Sequence, residues 1–217
     1  MEQKDSFRHK GMRNRLVQEL VRKKITDQVV LQAIGNIPRH LFLESGFVNF
    51  AYQDKAFPIA AGQTISQPYT VALQSQLLEI EAGDKVLEVG TGSGYQAAVL
   101  IEMGVKLFSI ERQRDLYQRS TRLLRELGYQ GRFFLGDGYE GLPSQAPFDK
   151  VIVTAGAPFI PKQLLLQLRI GGIMIIPLGD KKQVLTRIIR IDEDEFEQQE
   201  IEECAFVPML KGVVNNK

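Results

Sequence analysis

The sequence is short of the residues that disulfide, metal and membrane chemistry require. Its single cysteine, Cys204, stands in 217 residues. One thiol excludes an intrachain disulfide and fits a reducing compartment. It lies in a strand-like stretch with no nucleophile or ligand motif around it, so it reads as packing. The two histidines, His9 and His40, lack metal-ligand spacing, and no metal is expected. No apolar run approaches membrane-spanning length. The opening stretch, Met1 to Lys10, has no apolar core of the kind a secretory signal carries. An excess of one charge is missing too: 27 basic and 26 acidic side chains leave a net +1. That balance predicts neither a nucleic-acid binder nor a partner with a strongly charged surface. Lys10, Arg13, Arg15, Arg22, Lys23 and Lys24 crowd one early stretch, which reads as a solvated helix face rather than a nucleic-acid site. Asp192 to Glu195 reads as an exposed turn. Repeats and low-complexity linkers are absent. The expectation is a soluble cytoplasmic monomer with no membrane or nucleic-acid partner.

What is present is a core and a regular alternation. Hydrophobic residues make up 44% of the chain, and the length suits one α/β domain with small additions. Leu16, Val17, Leu20 and Val21 predict a helix over 12–24. Thr26 or Asp27 caps a second one through Ile34, stopped by Pro38. Residues 41–61 are turn-rich, and Tyr69 to Leu78 reads as a helix. From residue 85 strands and helices alternate. Strands are predicted at 85–89, 106–111, 132–135, 150–154 and 172–177, and helices at 95–103, 114–127 and 161–168. Two further strands, 183–191 and 195–207, have no helix between them. This pattern implies a parallel sheet wound on both faces, ending in an antiparallel hairpin. The single domain divides into N-terminal helices and a polar loop (1–80), an α/β core (81–180) and C-terminal strands (181–217).

The first of these strands runs into Glu88-Val89-Gly90-Thr91-Gly92-Ser93-Gly94-Tyr95. Such glycines let the backbone turn sharply and approach a ligand, and the following helix offers free N–H groups. In a doubly wound sheet this loop lies where ligands bind. The dinucleotide fingerprint needs a third glycine where Tyr95 stands. Glu88, just before the loop, is awkward for a pyrophosphate and comfortable beside an ammonium or sulfonium. Glu111 ends the next strand, where a carboxylate can accept from a ribose diol. Asp137-Gly138 follows the third strand and can accept from an adenine amino group. The three acids, in that order, fit an adenosyl ligand with a positive end. Taken singly, the loop could be only a tight corner, and Glu111 and Asp137 only solvated strand ends.

Val86 to Tyr95 resembles the first motif of S-adenosylmethionine-dependent methyltransferases. Gly62-Gln63-Thr64-Ile65-Ser66-Gln67-Pro68, with Gly90-Thr91-Gly92-Ser93-Gly94-Tyr95-Gln96-Ala97-Ala98, is similar to the protein-L-isoaspartate O-methyltransferase family. Ile37-Pro38-Arg39, Ala51-Tyr52-Gln53-Asp54, Val153-Thr154-Ala155 and Phe206-Val207-Pro208 match it as well, so the resemblance spans nearly the whole chain. It implies a Rossmann-like class I methyltransferase fold with a seven-stranded, mostly parallel sheet. It implies methyl transfer from S-adenosyl-L-methionine to the α-carboxylate of L-isoaspartyl residues in peptides and proteins, which starts their repair. Thr64, Ile65, Ser66, Glu88, Gly90, Thr91, Gly92, Ser93, Glu111, Asp137 and Gly138 are its implied cofactor contacts. Ser66, Gln67, Pro68, Phe206, Val207 and Pro208 are its implied substrate contacts, with Ser66 assigned to the reaction itself. Ala205 departs from the arginine frequent at that place in the family.

The chemistry is compatible with this residue set. A carboxylate, with a pKa of about 4, is already ionised at pH 7 and needs no general base. Alcohol and catechol acceptors want a base or a metal. The Asn-Pro-Pro-Tyr loop of nucleic-acid amino-methylating enzymes is replaced by Thr154-Ala155-Gly156-Ala157-Pro158. A serine hydroxyl can orient a carboxylate, but Ser66 could equally cap the helix after it. A methyltransferase for a small molecule and a module that binds the cofactor without turnover are the competing functions. A nicotinamide oxidoreductase is disfavoured by Tyr95 and Glu88.

Overall fold

The computed structural model describes residues 5–215. Helix α1 (Phe7–Arg22) begins about a turn and a half before the expected start at residue 12. Its polar first turn is held by a capping box in which Ser6 Oγ accepts from the His9 N–H and His9 Nδ1 accepts from the Ser6 N–H. Hydrophobic periodicity cannot reveal such a start. Helix α2 (Gln28–Asn36) is capped by Asp27, whose carboxylate accepts from the N–H groups of Val29 and Val30. Short 3-10 turns then lead to strands β1 (Phe57–Pro58) and β2 (Thr64–Ile65), paired antiparallel. Helix α3 (Pro68–Leu77) carries Pro68 in its first turn, where the missing N–H costs nothing.

The alternating region forms β3 (Lys85–Val89), α4 (Tyr95–Glu102), β4 (Lys106–Glu111), α5 (Arg114–Glu126), β5 (Arg132–Leu135), β6 (Phe148–Val153), α6 (Lys162–Gln167), β7 (Leu168–Leu178), β8 (Gln183–Arg190) and β9 (Phe196–Cys204). The seven strands β3 to β9 build one sheet in the order β5-β4-β3-β6-β7-β8-β9. Strands β3 to β7 run parallel, and β8 and β9 close the sheet antiparallel. This is the seven-stranded Rossmann-like arrangement. The terminal hairpin extends the sheet, since β8 also pairs with β7.

Both faces of the sheet are covered. Val86, Leu107, Ile152, Ile173, Ile175 and Leu185 point to a core shared with α1 to α4. Their strand neighbours Leu87, Phe108, Val151, Val153, Met174 and Ile176 point to a second core on the other face. A period of two with apolar residues at both phases is what a doubly covered strand requires. Strand order reverses between β3, which leads toward β4 and β5, and β6, which leads toward β7. Loops leaving the carboxyl ends of β3 and β6 therefore diverge and leave a crevice.

Candidate active site

The crevice is a cleft of about 850 Å³, counting the part open to solvent. Its floor is the loop after β3. Gly90 has φ +99°, and a Cβ there would collide with Thr154 Oγ1. Thr154, at the end of β6, bonds the carbonyl of Gly90 at 2.7 Å and lies 3.0 Å from that of Val89. The two divergent loops are thus laced together at the switch point. Glu111 ends β4 and turns into the cleft. One carboxylate oxygen accepts the Gly92 N–H at 2.9 Å and the other the Gln113 N–H at 2.8 Å. Each oxygen keeps a second lone pair, so a diol can still be bound. A Cβ on Gly138 would come within 2.5 Å of Val89 Cγ1, so that wall depends on a bare backbone.

Thr64, Ile65, Ser66, Gly90, Thr91, Gly92, Ser93, Glu111, Gly138, Val207 and Pro208 all line this cleft. Glu88 does not. It alternates with Leu87 and Val89, so its side chain turns under the sheet toward its register partner Ser109. It is fully buried, and burial raises its pKa to about 8. Ser109 donates to it at 2.5 Å, and Thr91 lies 2.6 Å from Ser109. With the Ser109 proton given to Glu88, the Thr91 hydroxyl donates to Ser109. Glu88 therefore braces the glycine loop from beneath instead of facing a ligand. The Asp137 side chain is also committed elsewhere. One oxygen accepts from the Tyr139 N–H at 2.9 Å and the other from the Gly212 N–H at 2.6 Å.

That last bond belongs to a wall of which the sequence named only Val207 and Pro208. Residues 207–210 border the cleft, Met209 and Leu210 included. Backbone bridges Gly156–Pro208 and Gln113–Val214 stitch the segment down, and Arg112 donates to the carbonyls of Lys211 and Gly212. Gln96, Arg112 and Gln113 also border the cleft, and none of them was expected as a site residue.

A second, wider groove opens beside the first. Thr64, Ser66, Thr154 and Val207 line both. Gln67 and Phe206 line only the outer groove, whereas Pro68 is buried at the helix start and lines neither. Arg22, Lys23 and Lys24 form one bank and Glu202 and Glu203 another. Ser66 does not cap α3. The cap position is Gln67, and no side chain of that position caps the helix. The Tyr69 N–H instead donates to Asp54 at 2.7 Å. Among the described residues the Ser66 hydroxyl has no protein partner.

His9 and His40 meet in space, with ring centroids 3.8 Å apart, and with Asp5 their ligand-type atoms lie within 4.8 Å of one another. Asp5 gives both oxygens to Arg13, and His9 Nδ1 serves the helix cap. None of the three borders either cavity.

A glycine loop at the switch point, a strand-end carboxylate beside it and a laterally open groove fit an adenosyl ligand with an acceptor beside it, the layout of an S-adenosylmethionine-dependent methyltransferase. Residues 11–214 match the model of the protein-L-isoaspartate(D-aspartate) O-methyltransferase family. The chain belongs to that family. The protein-L-isoaspartate O-methyltransferase of Christiangramia forsetii is 58% identical over 96% of this chain and 98% of its own. That of Flavobacterium psychrophilum is 56% identical over the same shares. Among solved structures, a protein-L-isoaspartate O-methyltransferase superposes with a TM-score of 0.83 at 29% identity, over 90% of this chain and 65% of that longer one. A β-aspartate methyltransferase from Plasmodium falciparum, in complex with S-adenosyl-L-homocysteine, gives 0.80 at 25% identity over 94% and 99%.

Proposed function

We propose that this chain methylates the free α-carboxylate of L-isoaspartyl residues in damaged peptides and proteins, the entry step to their repair. The observation that carries the reading is the position of Ser66. Its hydroxyl, without a protein partner among the described residues, borders both the inner cleft and the outer groove, where a donor in the first can meet an acceptor in the second.

The residues fit the cofactor. Glu111 offers paired acceptor oxygens beside Gly92, and the bare backbone at Gly90 and Gly138 leaves room that a Cβ would take. When bound, S-adenosyl-L-methionine supplies an electrophilic methyl on a sulfonium, and the departing thioether keeps the electron pair. Thr64, Ile65, Gly90 to Ser93, Glu111 and Gly138 would hold it. Glu88 and Asp137 would act behind that surface, through Ser109 and Gly212.

The chain's part in the reaction is placement. The acceptor carboxylate is ionised at neutral pH, so no protein base is needed. Ser66 donates to one carboxylate oxygen and leaves the other free to react. The anion is neutralised as the bond forms, so this hydrogen bond orients the acceptor more than it stabilises the transition state. Apolar Ile65, Val207 and Pro208 keep bulk water from the seam, where water would favour the separated charges. Gln67 and Phe206 line the path of the peptide.

We further read the chain as one domain acting as a cytoplasmic monomer without a nucleic-acid partner. The near-zero net charge and the single cysteine support this. No helix among the described residues is long and apolar enough to cross a membrane. The direct test is methyl transfer from labelled S-adenosylmethionine to two peptides identical except for isoaspartate or aspartate at one position. Base-labile label on the isoaspartyl peptide alone is the expected result; label on neither would overturn the substrate assignment.

A further inference from the structure

The stretch 54–58 touches the Ser66 loop on both sides. Ahead of Ser66, strand β1 pairs with β2, placing Phe57 against Ile65 and Pro58 against Thr64. Ile65 is buried there. Behind Ser66, the Asp54 carboxylate takes over. One oxygen accepts the Tyr69 N–H at 2.7 Å, and the other accepts from Gln67 Nε2 at 3.0 Å and from the Lys23 ammonium. The Asp54 side chain is only 3% exposed. Lys23, Gln67 and Tyr69 all line the outer groove, whereas Asp54 stands behind it.

Two physical consequences follow. Helix α3 has no cap of its own, so an anion supplied from elsewhere in the chain satisfies an orphan N–H and meets the positive end of the helix. A carboxylate removed from water is stable only with its partners fixed around it. The partners here follow Ser66 by one and three residues, or stand on the basic bank of the groove. Ser66 is therefore suspended between two anchors on one short stretch.

We propose that Asp54 is a positioning residue for the methyl transfer: it fixes the Ser66 loop and, through Lys23, the basic bank of the groove. This deepens the reading above and rests on it for its catalytic consequence. Misplacing a reacting group by about 1 Å costs on the order of a hundredfold in rate, so loosening this anchor should appear in turnover. The cofactor surface at Glu111 and the glycine loop does not contact Asp54.

The test compares Asp54→Ala and Asp54→Asn with the wild type in full-length protein. Asparagine keeps an acceptor for the Tyr69 N–H and can bond a flipped Gln67 amide, while Lys23, 40% exposed, stays solvated. Asp54→Ala should lower kcat on an isoaspartyl peptide about 10- to 100-fold and raise KM. Calorimetric affinity for S-adenosyl-L-homocysteine should stay within about threefold, and hydrogen exchange at residues 64–70 should speed up. Asp54→Asn should recover most of kcat. Unchanged kcat and exchange in Asp54→Ala would overturn the inference. So would parallel losses of affinity and thermal stability with no rescue by asparagine, the signature of a merely structural acid. Wild type inactive on the isoaspartyl peptide would overturn the reaction reading instead. Exchange then decides alone: acceleration upholds the anchor, and none overturns it.

Discussion

Glu111 binds the Gly92 N–H at 2.9 Å, so the acid that ends β4 and the loop that follows β3 form one rigid unit. A carboxylate so placed serves twice, as a brace for the loop and as an acceptor facing the cleft. Glu111→Ala should weaken S-adenosylmethionine binding more than tenfold, about 1.4 kcal/mol or more. Glu111→Gln should lose less, because an amide oxygen can replace one of the two acceptors. Calorimetric affinity unchanged in both would remove Glu111 from the cofactor site.

Among the described residues the Ser66 hydroxyl has no protein partner, and it does not cap α3. Ser66→Ala should therefore leave thermal stability within about 0.5 kcal/mol of wild type. It should still lower kcat about tenfold or more through lost orientation. A fall in melting temperature with kcat preserved would assign Ser66 to the fold.

Gly90 combines φ +99° with a Cβ position already occupied by Thr154 Oγ1. Gly90→Ala should cost about 1–3 kcal/mol in stability. It should also weaken the cofactor, since the loop must move to relieve the collision. Thr154→Ala in the same chain should recover part of the stability. Denaturant titration of the single and double variants checks this, and strict additivity would show that the collision is not the cause.

Burial lifts the Glu88 pKa from an ordinary carboxylate value to about 8. Below about 4.5 the folded and unfolded states both hold the proton, and its contribution to stability is intact. Between there and about 8 the unfolded chain releases the proton while the folded chain keeps it, so stability falls as pH rises. Glu88→Gln imitates the protonated acid and removes this term. Its stability should decline less than that of wild type between pH 5 and 8, as measured by chemical denaturation. Parallel pH profiles would show that Glu88 is ionised in the folded protein.

Three strands are readable to the residue, whereas β7 begins at Leu168, four residues before the expected 172, and the short β1 and β2 leave no periodic trace. Lys85–Val89, Lys106–Glu111 and Arg132–Leu135 stand where runs of apolar residues between turn signals predict them. The start of α1 is not readable, because a capping box needs only Ser6 and His9 and leaves no apolar trace. At the cleft, the glycine loop and Glu111 are legible as lining residues because both stand at the carboxyl ends of strands. Glu88 is legible as an acid, but not its direction: it sits one residue before the strand end, and alternation turns it under the sheet toward Ser109.

By itself, then, the sequence determined the periodic features: which segments are strands, which are helices, where the chain must turn on glycine, and which motif string follows. Those depend on neighbours a few residues apart, and local sterics and burial fix them. Tertiary structure alone decided which side chains those elements share. Asp54 reaching Tyr69, the contact of His9 with His40, and the addition of Met209 and Leu210 to the cleft wall join parts of the chain distant in sequence. Such pairings follow from how two covered faces of one sheet pack, and no local pattern encodes them.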